Sequence, residues 1–460
     1  MQKSQLTKIS LLLCLGAALL LPAALTAQPV PDDAPPGARL AYWFDQAARA
    51  FNEDRLDDWV TATERLHDLR PYNQDFMTHL VLGYARQNQL SKAFNTMLMM
   101  QQQGLAEDWS RFDELEPMRQ HRLYEHLANL MSEARQPFGR YSEVTALPED
   151  FAMPEALALD SATGRVFAGN VRDGRILVRS GDDDWEDFAQ PDDVEGLMAV
   201  FDLAVDADRD HLWVATGMTS QFAGFDEEAT VQSALLRLDL GSGELEASYP
   251  VPAGDARHLL GSLALADDGT VFAADTLNPV VFRLEAGSQQ LQPFFSNANF
   301  SSLRGLALSA DERLLYLADY EQGIFVLATD GSNQAWKLAV PETLNEGGID
   351  GLYWWEQHLV AIQNGISPQR VLRLQLGEDG LGVTAVAPVL AGLEQFDTPT
   401  FGVMDGSELY LFSGSHWRHV DGRGQAREES LPQVSLLKTD VDATEIMVVG
   451  QEAMEQMRGR

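Results

Sequence analysis

One strand unit recurs six times after Pro137, and no other feature constrains the fold as much. Each copy has an apolar alternating strand, a turn rich in Asp and Gly, a strand ending in small residues and then a third strand. The first strands read Glu155-Ala-Leu-Ala-Leu-Asp160, Phe201-Asp-Leu-Ala-Val-Asp206, Gly261-Ser-Leu-Ala-Leu-Ala266, Arg304-Gly-Leu-Ala-Leu-Ser309, Asp350-Gly-Leu-Tyr-Trp-Trp355 and Phe401-Gly-Val-Met404. Their starts are 46, 60, 43, 46 and 51 residues apart, which is the size of a propeller blade. A single copy cannot bury both faces of its sheet, whereas copies packed face to face around an axis bury both and leave only short edges. The repetition therefore predicts a six-bladed β-propeller over residues 140–445. Residues 141–147 precede the first copy and are expected to pair with the last blade, beside residues 434–441, and close the ring. The longest spacing places an insertion near residues 218–231, where a loop can shape the mouth of the central channel.

Ahead of the propeller, residues 38–136 are poor in Pro and Gly, and apolar residues recur at helical spacing. A shift of 34 residues lays Trp43, Ala47, Ala50, Trp59 and Leu66 onto Met77, Val81, Tyr84, Ala93 and Met100. That period suits paired helices of the tetratricopeptide kind, and an ordinary bundle of helical hairpins fits equally well. Residues 111–134 add one or two further helices. Trp43, Trp59, Met97, Met99 and Met100 are expected in the core of this domain rather than in a binding groove. The breakers Pro137 and Gly139 mark the junction between two separable units.

The N-terminus reads as a secretory signal over residues 1–27: Lys3 and Lys8, an apolar run from Ile9 to Leu21, then small residues up to Ala27. The alternative is a retained N-terminal anchor. A Pro-rich linker follows over 28–37, and residues 446–460 form a C-terminal tail. The only cysteine, Cys14, lies inside the apolar run, so the mature chain would have no disulfide. Asp and Glu number 69 against 33 Lys and Arg, a net charge of -36. Such a surface repels phosphate backbones and anionic headgroups, so nucleic acid is excluded as a partner and no stable membrane insertion is expected after signal cleavage. The partner is instead a small molecule or a protein.

Local catalytic signatures are absent. There is no Gly-rich loop ending in Lys-Ser/Thr, no His-Glu-x-x-His and no Gly-x-Ser-x-Gly. His416 and His419 have no third ligand nearby in sequence and are read as surface residues. The informative positions are the first residues of the innermost strands, which converge on the channel at one end. Glu155, Phe201, Arg304, Asp350 and Phe401, together with Asn364, are the candidates for the channel mouth. Glu155 and Asp350 are also weak candidates for a metal site, because a hard cation is bound by carboxylates that share one opening.

Pro154-Glu155-Ala-Leu-Ala-Leu-Asp, Asp350-Gly-Leu and the six-blade rhythm resemble the senescence-marker-protein/gluconolactonase-like superfamily over about residues 140–440. The segment from Gln363 to Leu374 resembles a bacterial branch of it, and the helical front is extra. The resemblance implies a divalent cation, often calcium, held by Glu155, Asp350 and intervening Asn residues, which would open a lactone with an activated water. This sequence departs from that pattern: Arg304-Gly-Leu306 stands where Asn-Gly-Leu is expected, and Gly261-Ser262 where Asn-Asp is expected. At most two of the expected ligands remain, and a guanidinium replaces a third. No cofactor is therefore expected, with calcium or another divalent cation as the alternative. Arg304 is expected to pair with Glu155, Asp350 or both in a buried cluster.

These readings give an exported propeller that binds a small molecule or protein partner without the family's metal-dependent activity; the alternative is a lactonase- or esterase-like hydrolase with a modified channel site. In that alternative, Glu155 or Asp350 would be the general base and Arg304 an oxyanion partner. Export has a direct check: the mature chain should begin near Gln28 and be recovered from the periplasm or medium. Mass analysis that finds the N-terminus intact on cytoplasmic protein would overturn it.

Overall fold

The computed structural model describes residues 34–443, apart from 182, 230, 253 and 255. The signal reading at 1–27, most of the linker at 28–37 and the tail at 446–460 lie outside the described residues. Among those described, no helix is long and apolar enough to cross a membrane.

Six four-stranded antiparallel sheets surround one axis. Their inner strands are Pro154–Asp160, Ala199–Asp206, Leu260–Leu265, Leu303–Leu308, Ile349–Trp355 and Gly402–Asp405, and each packs against the next until the sixth meets the first. The repeated Leu and Ala positions explain this packing. Six apolar clusters lie between neighbouring blades. One joins Ala156 and Phe167 of blade one to Val200 and Val214 of blade two; another joins Leu157 and Ala168 to Phe412 and Leu436 of blade six. Strand Ser142–Ala146 pairs with Ser435–Asp440 as the outermost strand of blade six, so both ends of the propeller chain close the ring, as the sequence predicts.

The first residues of the inner strands break register. In blade one Pro154 pairs with Asn170 and Ala156 with Gly169, which leaves Glu155 out of the ladder. Phe201, Gly261 and Asp350 are skipped in the same way in blades two, three and five, and Arg304 with Gly305 in blade four. A β-bulge rotates the skipped residue out of the alternation and re-aims its side chain. Five blades thus present a side chain, or a glycine, at the channel end of the axis.

The helical front consists of α1 (Pro36–Asn52), α2 (Leu56–Leu69), α3 (Gln74–Arg86), α4 (Leu90–Gln102), the single turn α5 (Glu116–Arg119) and α6 (Arg122–Glu133). Helix α1 begins at Pro36, inside the segment expected as linker; proline at the first position of a helix loses no hydrogen bond there. Consecutive helices from α1 to α4 pack on one another. Trp59, Met97 and Met100 are buried in this core, with Trp43 and Met99 half-buried against it.

This domain sits on the channel-mouth end of the propeller, over blades four and five, and its interface is polar. The Tyr72 hydroxyl donates to Glu346 Oε1 at 2.6 Å. Asn345 Nδ2 donates to Gln103 Oε1 at 3.0 Å and to the Tyr72 carbonyl at 3.1 Å. Arg370 donates from Nη1 to the Gln103 carbonyl at 3.0 Å and from Nε to Gln363 Oε1 at 2.7 Å. Arg70 pairs with Glu321. Backbone approach is close enough that a Cβ on Gly347 would lie 2.8 Å from Tyr72 Cβ, which accounts for glycine there. Ile366, from the propeller, packs into the helical core.

Glu346 anchors this interface. Its side chain is fully buried and accepts hydrogen bonds from Tyr72, the Ile324 N–H and Lys337. Glu346→Ala would leave the Tyr72 hydroxyl and the Ile324 N–H without their acceptor and take the partner from Lys337, whose side chain is 38% exposed, and should destabilise the chain by about 1–3 kcal/mol for each buried donor left unpaired. Tyr72→Phe removes one hydrogen bond to a charged acceptor and should cost about 1.5–3 kcal/mol. Urea unfolding of both variants measures this; equal, near-zero effects would mean that the helical domain does not dock on blades four and five.

Candidate functional site

The bulges bring three of the expected residues together. Arg304 Nε lies 3.3 Å from Asp350 Oδ1. Asn364 follows the second strand of blade five; its Nδ2 donates to Asp350 Oδ2 at 2.7 Å and to the Pro399 carbonyl at 2.8 Å. Its Oδ1 accepts from the Tyr320 hydroxyl at 2.9 Å, and the Arg304 guanidinium stands over the Tyr320 ring at 5.7 Å. Arg304, Asp350, Asn364 and Tyr320 therefore form one connected cluster.

Glu155 is joined to a different partner. Its Oε2 accepts from the Trp417 indole N–H at 2.8 Å, and Arg304 reaches it through space without a direct contact. The expected pairing of Arg304 thus falls on Asp350. The expectation of a buried cluster also needs correction, because the Arg304 side chain is 33% exposed while that of Asp350 is 12% exposed. About a third of the Arg304 side chain is thus open to solvent, so a ligand can reach part of it.

Phe201 and Phe401 are buried. Phe201 joins Met153, Met198, Phe222 and Leu259 in an apolar cluster against which Trp417 packs. Phe222 comes from the insertion in blade two, so that loop does build a wall of the mouth. The two histidines are not surface residues. His416 is buried; its Nδ1 accepts from the Met153 N–H and its Nε2 faces the Pro432 carbonyl, each at 2.9 Å. His419 Nε2 contacts Asp397 Oδ2 at 2.5 Å and is partly covered. The 413–434 loop folds back over the start of blade one, and this return buries them.

Sequence reasoning missed Asp202, Tyr353, Tyr320 and Trp417. Asp202 follows a bulged residue and accepts from the N–H groups of Leu203 at 2.8 Å and Leu263 at 2.7 Å, tying blade two to blade three. The Tyr353 hydroxyl accepts from the Gly402 N–H and lies within electrostatic reach of both Asp202 and Asp350. Asp202 stood in the quoted strand, one position past the residue chosen. Trp417 belongs to a long aperiodic loop and left no signal.

Burial dominates the electrostatics. Loss of water and the charge of Asp350 push the Glu155 carboxyl up to about 8, against the pull of Trp417 and Arg304. Burial raises Asp202 to about 7 despite its backbone donors. Asp350 is also raised by burial, with Arg304 and Asn364 opposing. Around neutral pH, Glu155 is thus a protonated acid beside the Asp350–Arg304 pair.

The donor set fits a divalent cation poorly. A hard cation takes six or more oxygen ligands. Here Asn364 turns its NH2 towards Asp350, its oxygen is already used by Tyr320, and a guanidinium stands beside the best carboxylate. Among the described residues no group of three or more His, Cys, Asp and Glu side chains is arranged to hold a metal.

The architecture and its axial cluster define a six-bladed propeller with a polar channel mouth. No protein-family model and no curated protein matches the sequence. Solved structures similar to the chain include gluconolactonase-like propellers. One is a gluconolactonase from Xanthomonas campestris, 16% identical, covering 67% of this chain and 93% of that one, with a TM-score of 0.44. Another is regucalcin, a calcium-binding protein from Agrobacterium tumefaciens, 15% identical over 65% of this chain and 95% of that one, TM-score 0.46. A PQQ-bound aldose sugar dehydrogenase from Streptomyces coelicolor is similar at 13% identity over 66% and 100%, TM-score 0.44. These likenesses choose no activity for this chain.

The raised Glu155 has a measurable consequence. The folded chain holds this proton more tightly than the unfolded one, so Glu155 makes stability fall as pH rises from about 4.5 to about 8 and contributes no further change above that. Glu155→Gln should remove this contribution. The variant should gain stability relative to wild type as pH rises across that interval, by an amount of a few kcal/mol, read from urea unfolding at its two ends. A wild-type-to-variant difference that does not change with pH would show that Glu155 ionises normally.

Proposed function

We propose that the chain is an exported propeller that binds a small polar molecule at its channel mouth without using a divalent cation. The observation that carries this is the Arg304–Asp350–Asn364 arrangement, in which a partly exposed guanidinium supplies the positive side of the site and the Asn364 amide holds Asp350 in place. The exposed part of Arg304 offers donors to a ligand oxygen, protonated Glu155 offers an acid hydrogen, and the flank of Trp417 offers an apolar face. A sugar acid, a sugar lactone or another hydroxylated carbonyl compound has the matching acceptors. The export reading rests on the N-terminal pattern of Lys3, Lys8 and the apolar run to Leu21.

One observation favours a second reading, a lactonase- or esterase-like hydrolase. A carboxyl held near 8 is poised to exchange a proton at neutral pH, and Arg304 lies close enough to act on the same ligand. Ionised Glu155 would take a proton from water as that water attacks the carbonyl, and Arg304 would stabilise the oxyanion.

Thermal unfolding with a panel of sugar acids and sugar lactones tests the first reading. At least one should raise the melting temperature of the wild type and lose its effect in Arg304→Ala. Calcium should stabilise no more than magnesium at the same ionic strength. A specific, saturable calcium response would overturn the metal-free site. Lactone hydrolysis that Glu155→Gln abolishes, with a pH profile breaking near 8, would select the hydrolase.

A further inference from the structure

We propose that the groove between the helical domain and blades five and six is a second binding site, separate from the channel, for a small organic carboxylate with an apolar body. The groove encloses about 240 Å³, and its walls include Arg135, Ile366, Gln369, Leu393, Phe396 and Arg418.

Both sides of the groove are fixed before any ligand arrives. The loop carrying Ile366 is clamped by the helical domain: the Ser367 N–H donates to Gln74 Oε1 at 2.8 Å, and the Ser367 carbonyl accepts from the Ala106 N–H at 2.7 Å. Gln369 Oε1 accepts from the Thr398 N–H at 3.0 Å, and its carbonyl accepts from the Gly392 N–H at 2.9 Å. The segment leaving α6 is stitched to the outer strand of blade five by two bonds between Phe138 and Ala391, at 2.8 and 3.0 Å. Gly392 has φ +58, and a Cβ on it would lie 2.9 Å from the Arg135 carbonyl, so the end of the helical domain is pressed onto the rim. A site whose walls are already ordered loses little entropy on binding.

The chemistry of the lining selects the ligand. Ile366 and Leu393 are buried and Phe396 is half-buried, which gives an apolar floor. Arg135 and Arg418 are exposed on the rim, and neither forms an ion pair among the described residues. Arg135 favours the ionised form of Asp108 from a distance without pairing to it. In a chain of net charge -36, the general field repels anions, so an anion can be held only where local guanidiniums outweigh that field. Two of them above an apolar floor match a carboxylate that carries a hydrocarbon body. The groove neighbours the channel through its loops: Arg418 follows Trp417, and Gln369 Nε2 donates to the Asn364 carbonyl at 3.4 Å.

Titration calorimetry of the full chain with sodium hexanoate tests the proposal, with hexanamide as the uncharged probe of the same shape. Hexanoate should bind saturably with one site per chain, and hexanamide should bind at least tenfold more weakly. Arg418→Gln and Arg135→Gln should each weaken hexanoate about tenfold, the loss of one charge-assisted contact. Arg122→Gln, which removes a cation from the exposed face of α6, should leave it unchanged. Equal binding of the two probes would overturn the proposal, and so would hexanoate binding insensitive to Arg135 and Arg418. An equal loss in Arg122→Gln would reduce the effect to net charge and overturn it as well.

Discussion

The register break at the start of five of the six inner strands is the constraint on which the site depends. An inner blade strand is packed on both faces, so its alternating side chains are committed to the two neighbouring blades. A regular strand would leave no position free to face the axis. Skipped residues in five of the six blades solve this, since they belong to neither face. Glu155, Asp350 and Arg304 occupy such positions; Arg304 meets Asp350, and Glu155 lies within electrostatic reach of both although nearly two hundred residues separate it from Asp350 in sequence. The rigidity of the six apolar clusters between blades is what holds these side chains in place once they are aimed.

Charge balance then decides what the mouth can do. Three carboxyl groups, Glu155, Asp202 and Asp350, are brought into a region with little water, and each is driven towards its neutral form. One guanidinium is supplied, and it stands beside Asp350. The other two are held differently: Asp202 by backbone N–H groups and Glu155 by an indole N–H and by its own proton. A partly exposed cation flanked by a neutral acid presents donors outwards, which makes the mouth receptive to acceptor-rich molecules despite the acidity of the chain as a whole.

The helical domain extends the same face. Its polar interface with blades four and five runs from Gln103 through Arg370 to Gln363, and Asn364 of the channel cluster is the next residue along the chain. Burial keeps this network costly to break, because each lost partner strands a donor or an acceptor away from water. Burial of Arg370 lowers its pKa to about 10, still high enough to keep it charged at neutral pH. Docking of the helices and placement of Asn364 thus share a hydrogen-bonded framework.

Much of this was legible in the sequence. Strand alternation and blade-sized spacing fix the six blades, the closing strand at residues 142–146 and the positions that face the axis, because period-two patterning and burial of both sheet faces are local properties of the chain. Helical periodicity likewise places Trp59, Met97 and Met100 in a core. Pairing choices are not local. That Arg304 meets Asp350 and not Glu155, that Trp417 bonds Glu155, and that His416 is buried all follow from loops that return across the mouth, and no period marks them. Asp202 and Tyr353 were hidden for a related reason: they sit within strands whose pattern reads as core, and only the narrowness of the axis brings them near the bulged residues. The sequence by itself determined which residues could reach the channel, since that follows from repeat and register; the tertiary structure decided which of them touch and which hold a proton, since contact and desolvation depend on where the whole ring and its covering loops come to rest.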